Sequence, residues 1–534
     1  MSAKRHHSKI SSKSRSRSKS SNISERLISK DFKKCEGEPK YYVNISKIMG
    51  RYMVAKKDLS PGEVILSELP LVVGPCTGSK LQCLGCYKNV EGENGFVKCR
   101  GCGWPLCSHT CPGLKQRLGH TDVECSTLKD CNSSYFLNYE DVSRMRVHLQ
   151  AIVPLRCLLL KRIDPKSYNL LLDMEHHNDI RQNIPEVWSA NQENVVNRII
   201  RDWRLTQFTG NEIHTMCGVL EVNCFEIGQQ GVNIRGLYPT AFLMAHDCVP
   251  NTNHTDENIN YRLTVRASTH ISPGYPITMS YAYTLQNTLK RREHLFDNKF
   301  FECFCERCSD PTEMGSYSGA LICPKCKTGL VLCDNPLDQE SSWSCNDFSK
   351  SCPGYTITSR SMKLLLNRIS QEVEQIDCND INAMELFLDK YRNVLHPTHY
   401  LCLAVKISLS QLYGKIEGHL IHELTDEILL RKQNICKEIL TVFDIIEPGF
   451  TRIRGVTLYE LHAPMMILLT RQLSEKSFSK AELKKKLREI VRYLAEASLI
   501  LSYEPENSAE GNMGVAAKEA LLQIHDWEKI VGKF

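Results

Sequence analysis

Residues 83–125 read CLGCYKNVEGENGFVKCRGCGWPLCSHTCPGLKQRLGHTDVEC, and the thiols and imidazole in this stretch decide the fold. Cys83, Cys86, Cys99, Cys102, Cys107, Cys111, His120 and Cys125 are spaced C-x2-C-x12-C-x2-C-x4-C-x3-C-x8-H-x4-C. A structural zinc takes about four N or S ligands in a tetrahedron, so eight ligands in short pairs predict two closed zinc sites. The stretch is too short and too polar to build a core by itself, so metal must supply the folding energy. The competing reading, a disulfide framework, needs an oxidising compartment, and nothing at the N-terminus resembles a secretory signal. His109 lies inside the stretch but off the pattern and is expected at the surface.

At 534 residues the chain is too long for one ordinary core and predicts about two to four domains. Its net charge of +6 is misleading. Lys4, Arg5, Lys9, Lys13, Arg15, Arg17 and Lys19 lie within residues 1–20, a Ser-rich stretch without an acid, and the rest of the chain is close to neutral. No global basic field therefore argues for nucleic-acid binding. Within the cysteine-rich stretch Lys88, Lys98, Arg100, Lys115 and Arg117 are nearly balanced by Glu91, Glu93, Asp122 and Glu124, which speaks against sequence-specific DNA recognition. The leader, residues 1–40, cannot bury enough apolar surface to fold and reads as a disordered tail. It suits nuclear import, phosphorylation, a weak RNA contact or plain solubility. The longest apolar run, Ala463–Leu469, is too short to span a membrane. Twenty-five cysteines without a signal peptide fit an intracellular protein that uses thiolates for metal.

Short β elements are expected at 41–43, 52–55 and 64–66, broken by Gly50 and the turn Ser60-Pro61-Gly62-Glu63. A helical pattern follows over about 141–215, then a second β-rich block over 217–283. Cys303, Cys305 and Cys308 come next, one ligand short of a tetrahedron. Cys323 and Cys326, with Cys345 and Cys352, suit a zinc ribbon and a fourth zinc, with Cys333 as an extra candidate. From about 359 the stripes Leu366/Ile369/Val373/Ile376 and Leu487/Ile490/Val491/Leu494/Leu501 predict helices to the end, and Gly414 a helix stop. Helix pairs of tetratricopeptide type are the natural packing for this half.

The cysteine-rich stretch resembles a MYND finger at all eight ligand positions. That resemblance implies a cross-braced pair of sites, Cys83, Cys86, Cys107 and Cys111 in one and Cys99, Cys102, His120 and Cys125 in the other. A MYND finger between two β-rich halves resembles the SET and MYND domain (SMYD) family of protein lysine methyltransferases. Gly50-Arg51-Tyr52-Met53-Val54-Ala55 with Pro61-Gly62-Glu63 is similar to the family's G-x-G-L-x-A…P-G-E, and Asn223-Cys224-Phe225 to its N-S/A-F strand. Ala245-His246-Asp247-Cys248-Val249-Pro250-Asn251 stands where the family has N-H-S-C-x-P-N, and Gly274–Tyr281 where it has G-E-E-L-x-x-S-Y. Arg291-Arg292, the Cys303–Cys308 triplet and Asp310-Pro311-Thr312 resemble the post-SET tail. In its departures the chain is most similar to the arthropod SmydA branch.

The resemblance implies a multi-domain α+β protein: a β-rich SET fold split by the MYND finger, followed by a helical, tetratricopeptide-like C-terminal domain. Its parts would be residues 41–82 (SET, first part), 83–125 (MYND), 126–216 (helical insert), 217–283 (SET core), 284–312 (post-SET), 313–358 (ribbon) and 359–534 (helices). It supplies Cys248 as the fourth ligand of the Cys303, Cys305 and Cys308 site. It further implies S-adenosylmethionine as cofactor, held near Gly50, Arg51, Asn223, Leu243, His246 and Tyr281, with Tyr281 catalytic and Tyr283 a second aromatic wall. The expected substrate is a lysine on a histone or another protein, and the expected setting is transcriptional regulation in nucleus and cytoplasm, by a monomer. The alternative is an inactive adaptor whose MYND finger binds proline-rich peptides or corepressors such as histone deacetylase complexes. Departures at the cofactor and lysine contacts fit that alternative and equally a divergent enzyme with altered contacts. The pseudoknot asparagine is Ala245, the second glycine of the opening motif is Tyr52, and Tyr275 replaces an acid. The position of the second catalytic tyrosine falls at Asp256 or His254, with Tyr261 the nearest tyrosine.

Overall fold

Aromatic and β-branched residues, Tyr41-Tyr42-Val43, Val54, Val64-Ile65 and Val72-Val73, make the first four strands. In the computed structural model, which describes residues 39–92, 95–228, 232–257, 259–347, 352, 354–474 and 480–531, these are β1 (Tyr41–Ser46), β2 (Gly50–Ala55), β3 (Val64–Glu68) and β4 (Val72–Pro75). Residues 1–38 of the expected basic tail lie outside the described residues. β1 and β2 form a hairpin, Tyr41 opposite Ala55 and Ser46 opposite Gly50. Gly62, at φ +82°, turns the chain before β3, where a Cβ would come within 2.4 Å of the Tyr503 hydroxyl.

Among its described residues the finger adds β5 (Val97–Lys98) and β6 (Pro105–Leu106) as strands. Helices follow: α1 (Asp122–Asp130), α2 (Val142–Leu149), α3 (Ile152–Ile163) and α4 (Pro165–Leu172), then short helical segments to Asp202 and α5 (Gly210–Asn223). From Ile152 to Leu160 α3 is buried on every side, and its core extends to Trp104 of the finger, stacked edge-on against Trp203. Finger and insert therefore share one core. Thr209 and Glu212 close a capping box at the start of α5. The helix runs on through buried Met216, Cys217, Val219 and Leu220, so residues 217–223 are helical rather than the opening of the second β block.

That block begins at β7 (Phe225–Ile227) and continues with β8 (Ile234–Leu237), β9 (Ala245–His246), β10 (Thr252–Asp256), β11 (Leu263–Ala267) and β12 (Thr278–Met279). The sheets run β10-β11-β3 and β4-β8-β7, with β9 parallel to β12. Strands before the finger thus pair with strands after the insert, which fixes one β core from two distant segments. Glu68 ends β3 buried, accepting N–H bonds from Thr240 (3.1 Å) and Ala241 (2.7 Å). Burial pushes its carboxyl from 4.5 up to about 7 against the pull of those N–H groups. Between these values the folded protein holds a proton that the unfolded chain has lost, so stability falls as pH rises through the window. Glu68→Gln is expected to remove that decline, up to about 3 kcal/mol between about pH 5 and pH 8, as read from urea midpoints.

α6 (Thr288–Lys299) leads to a four-stranded ribbon, β13 (Leu321–Ile322), β14 (Leu330–Cys333), β15 (Trp343–Cys345) and β16 (Thr356–Ile357), paired in chain order. The remaining elements are α7 (Ser359–Glu374), α8 (Ile381–Tyr391), α9 (Tyr400–Leu412), α10 (Asp426–Ile446), α11 (Arg452–Ser474), α12 (Lys480–Leu501) and α13 (Ala509–Val531). Gly414, at φ +98°, follows the end of α9. Val331, Trp343 and the buried cysteines of the ribbon pack into the α7–α10 core, and a second core joins α10 to α13. Among the described residues no helix is long and apolar enough to cross a membrane.

Candidate metal centres and active-site cavity

Four tetrads converge, each with its ligand atoms within 4.8 Å of one another: Cys83, Cys86, Cys107 and Cys111; Cys99, Cys102, His120 and Cys125; Cys248, Cys303, Cys305 and Cys308; and Cys323, Cys326, Cys345 and Cys352. Sulfur pairs stand at 3.6 Å (Cys83–Cys111), 3.5 Å (Cys86–Cys107), 3.5 Å (Cys248–Cys308) and 3.8 Å (Cys326–Cys345). A tetrahedron with zinc–sulfur bonds of ~2.3 Å has edges of ~3.8 Å, whereas a disulfide brings its sulfurs to ~2.05 Å. The spacing is that of a metal cage. In the finger the two tetrads interleave along the chain. Cys333, the extra ribbon candidate, stands outside its tetrad, and His109 belongs to neither finger tetrad.

Behind His120 lies a relay that no spacing motif announces. His120 Nδ1 meets the Glu124 carboxylate at 2.6 Å, which leaves Nε2 turned toward Cys102 Sγ at 3.3 Å. Glu124 in turn accepts from Arg156 Nε at 2.5 Å, and Arg156 also donates to Val73 O, Leu84 O and the Tyr87 hydroxyl. One buried guanidinium thus ties finger, β4 and α3 together. Glu124 sits four residues beyond His120, a hint available in the sequence; Arg156 had none.

The third tetrad is the hinge between metal and cavity. Buried Cys248, Cys303 and Cys308 pack with Leu295, and Tyr281, Ala282 and Phe301 lie against them. His246 Nε2 is 3.3 Å from Cys248 Sγ while its Nδ1 accepts from the Tyr281 backbone N–H at 2.9 Å. The rings of His246, Tyr281 and Phe301 pack around one another. Beneath the tetrad, Arg291 and Arg307 share the Glu313 carboxylate at 2.7 and 3.0 Å, all three buried. Arg307 also donates to Cys248 O at 3.3 Å and Arg291 to Cys308 Sγ at 3.6 Å.

Beside Tyr281 opens a cavity of about 350 Å³, walled by Asn223, Phe225, Phe242, Met244, His254, Tyr283 and Lys299 among others. That volume is within the range of small-molecule sites. The Tyr281 hydroxyl donates to Met244 O, and burial pushes its phenol pKa up. Asn223, the last residue of α5, donates its amide hydrogens to Glu175 O (2.7 Å) and Val219 O (2.9 Å), which leaves its oxygen as the acceptor. His254 lines the cavity, and burial holds its pKa down at about 4. Asp256 instead accepts from the Gly228 N–H, and Tyr261 packs edge-on against Tyr87. Of the residues expected at the cofactor, Asn223 and Tyr281 line the cavity and His246 supports it. Leu243 is in the β core and Gly50 is exposed at its hairpin with open space around it. Arg51 bridges to the Asp173 carboxylate at 2.5 Å. Tyr275, at the acidic position of the closing motif, is exposed. The two departures, Tyr52 and Ala245, meet. With Val54 they form a small buried cluster, and the Tyr52 hydroxyl accepts from Asn44 at 3.1 Å.

The SET domain family matches residues 50–282. The chain is 29% identical over 357 residues to SET domain-containing protein SmydA-8, isoform B, of Drosophila melanogaster, covering 64% of this chain and 74% of that protein. It is 27% identical over 270 residues to histone-lysine N-methyltransferase ASHR1 of Arabidopsis thaliana, covering 49% and 53% respectively. Against human histone-lysine N-methyltransferase SMYD1 the identity is 25% over 304 residues, covering 52% and 57%.

Proposed function

We propose that this chain, a SET/MYND protein of the SmydA-like kind, is a protein-lysine methyltransferase that uses S-adenosylmethionine. The observation that carries the reading is the Tyr281 cavity, whose wall is braced through His246 to a cysteine tetrad. When bound, S-adenosylmethionine supplies an electrophilic methyl group on a sulfonium sulfur. The donor set suits such a group: the Asn223 oxygen is left as an acceptor for a hydroxyl of the cofactor, and the volume suits a small ligand. Asn223 and Tyr281 would hold it. Phe225 and Phe242 exclude water from the acceptor amine, with Tyr283 at the rim, and positioning rather than acid–base transfer lowers the barrier.

Zinc is the metal that four-cysteine and three-cysteine-one-histidine cages favour. In this reading the finger zincs shape a peptide surface, the third zinc closes the cavity, and the ribbon zinc seats the helical half. The acceptor is a lysine on a histone or another protein, and the basic leader suits entry to the nucleus from the cytoplasm.

A second reading, an adaptor without catalysis, draws on the Tyr52–Ala245–Val54 cluster. There a ring fills space beside β9, while the finger, which would take proline-rich peptides or corepressors, keeps all its ligands. Calorimetric titration of the folded protein with S-adenosylmethionine separates the two, and no heat of binding at millimolar cofactor would leave only the adaptor. If Ala245 weakens an otherwise competent site, Ala245→Asn paired with Tyr52→Gly is expected to tighten cofactor binding by about 1–3 kcal/mol.

A further inference from the structure

The Tyr281 cavity already contains a cation. Lys299 is the last residue of α6, and Phe300 takes the left-handed conformation at φ +61°, which turns the chain sharply toward the third tetrad. The Lys299 side chain reaches the C-terminal end of α5, where its Nζ donates to Glu221 O at 2.8 Å and Val222 O at 3.2 Å. Those two carbonyls immediately precede Asn223, Cys224 and Phe225, which form the cavity wall. The negative end of a helix favours a cation at this place. Three N–H bonds belong to an ammonium, and two are matched by these carbonyls.

The groups around it are few. Glu221 and Glu226 attract the ammonium and Arg235 repels it; burial lowers its pKa against the pull of the two carboxylates. Cys224 is close by with its thiol pushed up to about 12 by burial, so it is neutral. His254 is neutral, Tyr283 is an exposed phenol at the rim, and the Tyr281 hydroxyl is spent on Met244 O. Glu226 is the one carboxylate among the lining residues, exposed and already facing the Lys299 ammonium, so an entering ammonium meets the lysine charge before it finds an unshared counter-ion.

We propose that Lys299 is a positioning residue whose resident charge makes a second ammonium unfavourable in the Tyr281 cavity and so selects the neutral, nucleophilic form of an entering lysine. The proton passes to bulk water before the amine is enclosed, and its nitrogen keeps the lone pair that attacks carbon. A cavity of this size sets both nitrogens within about one Debye length, ~8 Å, where bulk salt screens little of their repulsion. Lysine beside another cation is a recognised way of obtaining a neutral amine near neutral pH. The inference rests on the methyltransferase reading for its purpose but not for its measurement.

The test uses n-butylamine, a mimic of the lysine side chain, titrated into full-length wild type, Lys299→Met and Lys299→Arg without cofactor. Wild type and Lys299→Arg are expected to bind it more tightly as pH rises. Lys299→Met is expected to bind it about tenfold more tightly than wild type near neutral pH, a shift of about one unit in the bound amine's pKa. Equal neutral-pH affinity in wild type and a folded Lys299→Met would overturn the proposal, as would failure of all three to bind the amine. Where methyl transfer is measurable, Lys299→Met should move the kcat–pH profile up by about one unit, with Lys299→Arg restoring it. Absence of transfer in all three removes the methyltransferase reading alone, because amine binding still decides the role of Lys299.

Discussion

Stripping metal from the purified protein is expected to unfold the finger together with the helical insert, not the finger alone. Structural zinc supplies about 10–16 kcal/mol per site in finger peptides, as much as or more than the whole ~5–15 kcal/mol stability of a typical domain. Here Cys83, Cys102 and Cys111 belong to the same buried core as Leu155, Leu158 and Trp203, and Arg156 reaches from α3 into the second finger site through Glu124. Loss of the tetrads leaves that guanidinium buried with a partner that is no longer fixed. Circular dichroism and elemental analysis after exhaustive chelation provide the measurement. A metal-free protein that keeps its helical signal and thermal midpoint would refute the assignment of these cages.

Glu313→Ala is expected to cost about 3–5 kcal/mol, a loss few single substitutions reach. Two fully buried guanidiniums depend on this one carboxylate, which also accepts the Thr288 N–H at 3.0 Å. Removing it leaves both charges facing each other in the interior. Arg307 also holds Cys248 O, so the third tetrad should loosen with the fold, and metal content should fall by one zinc before global unfolding. Guanidinium titration with parallel metal counting reads both effects. A cost below about 1 kcal/mol would mean that the tetrad thiolates already balance the two arginines.

Short-range pattern and long-range placement divide what the sequence could disclose. Ligand pairs such as Cys83/Cys86 or Cys323/Cys326 are spaced by the turn that a metal requires, so their chemistry is local and readable. Cys248 has no such spacing with Cys303, Cys305 and Cys308; only the family resemblance linked them. The β elements at 41–43, 52–55 and 64–66 were legible from short β-prone runs between turn residues, while residues 217–223 were misread because the Thr209–Glu212 capping box starts a helix that continues through an apolar run. Arg156, Glu313 and Lys299 went unnoticed for a common reason. A lone charged residue acquires its meaning from what buries it, and burial by distant segments leaves no period in the chain. The meeting of Tyr52 with Ala245 is of the same kind: each was visible as a departure, and only the fold made them neighbours.

The same long-range pairing governs how a nascent polypeptide leaves the ribosome. β3 and β4 emerge early, yet their partners β11 and β8 follow only after the finger and the whole helical insert have been translated. Until Leu237 for β4 and Ala267 for β3 have cleared the exit tunnel, these early strands present open hydrogen-bonding edges to their surroundings. Chaperone protection during this interval, and intracellular zinc supply at the moment Cys125 appears, would therefore govern the yield of native molecules in any expression host.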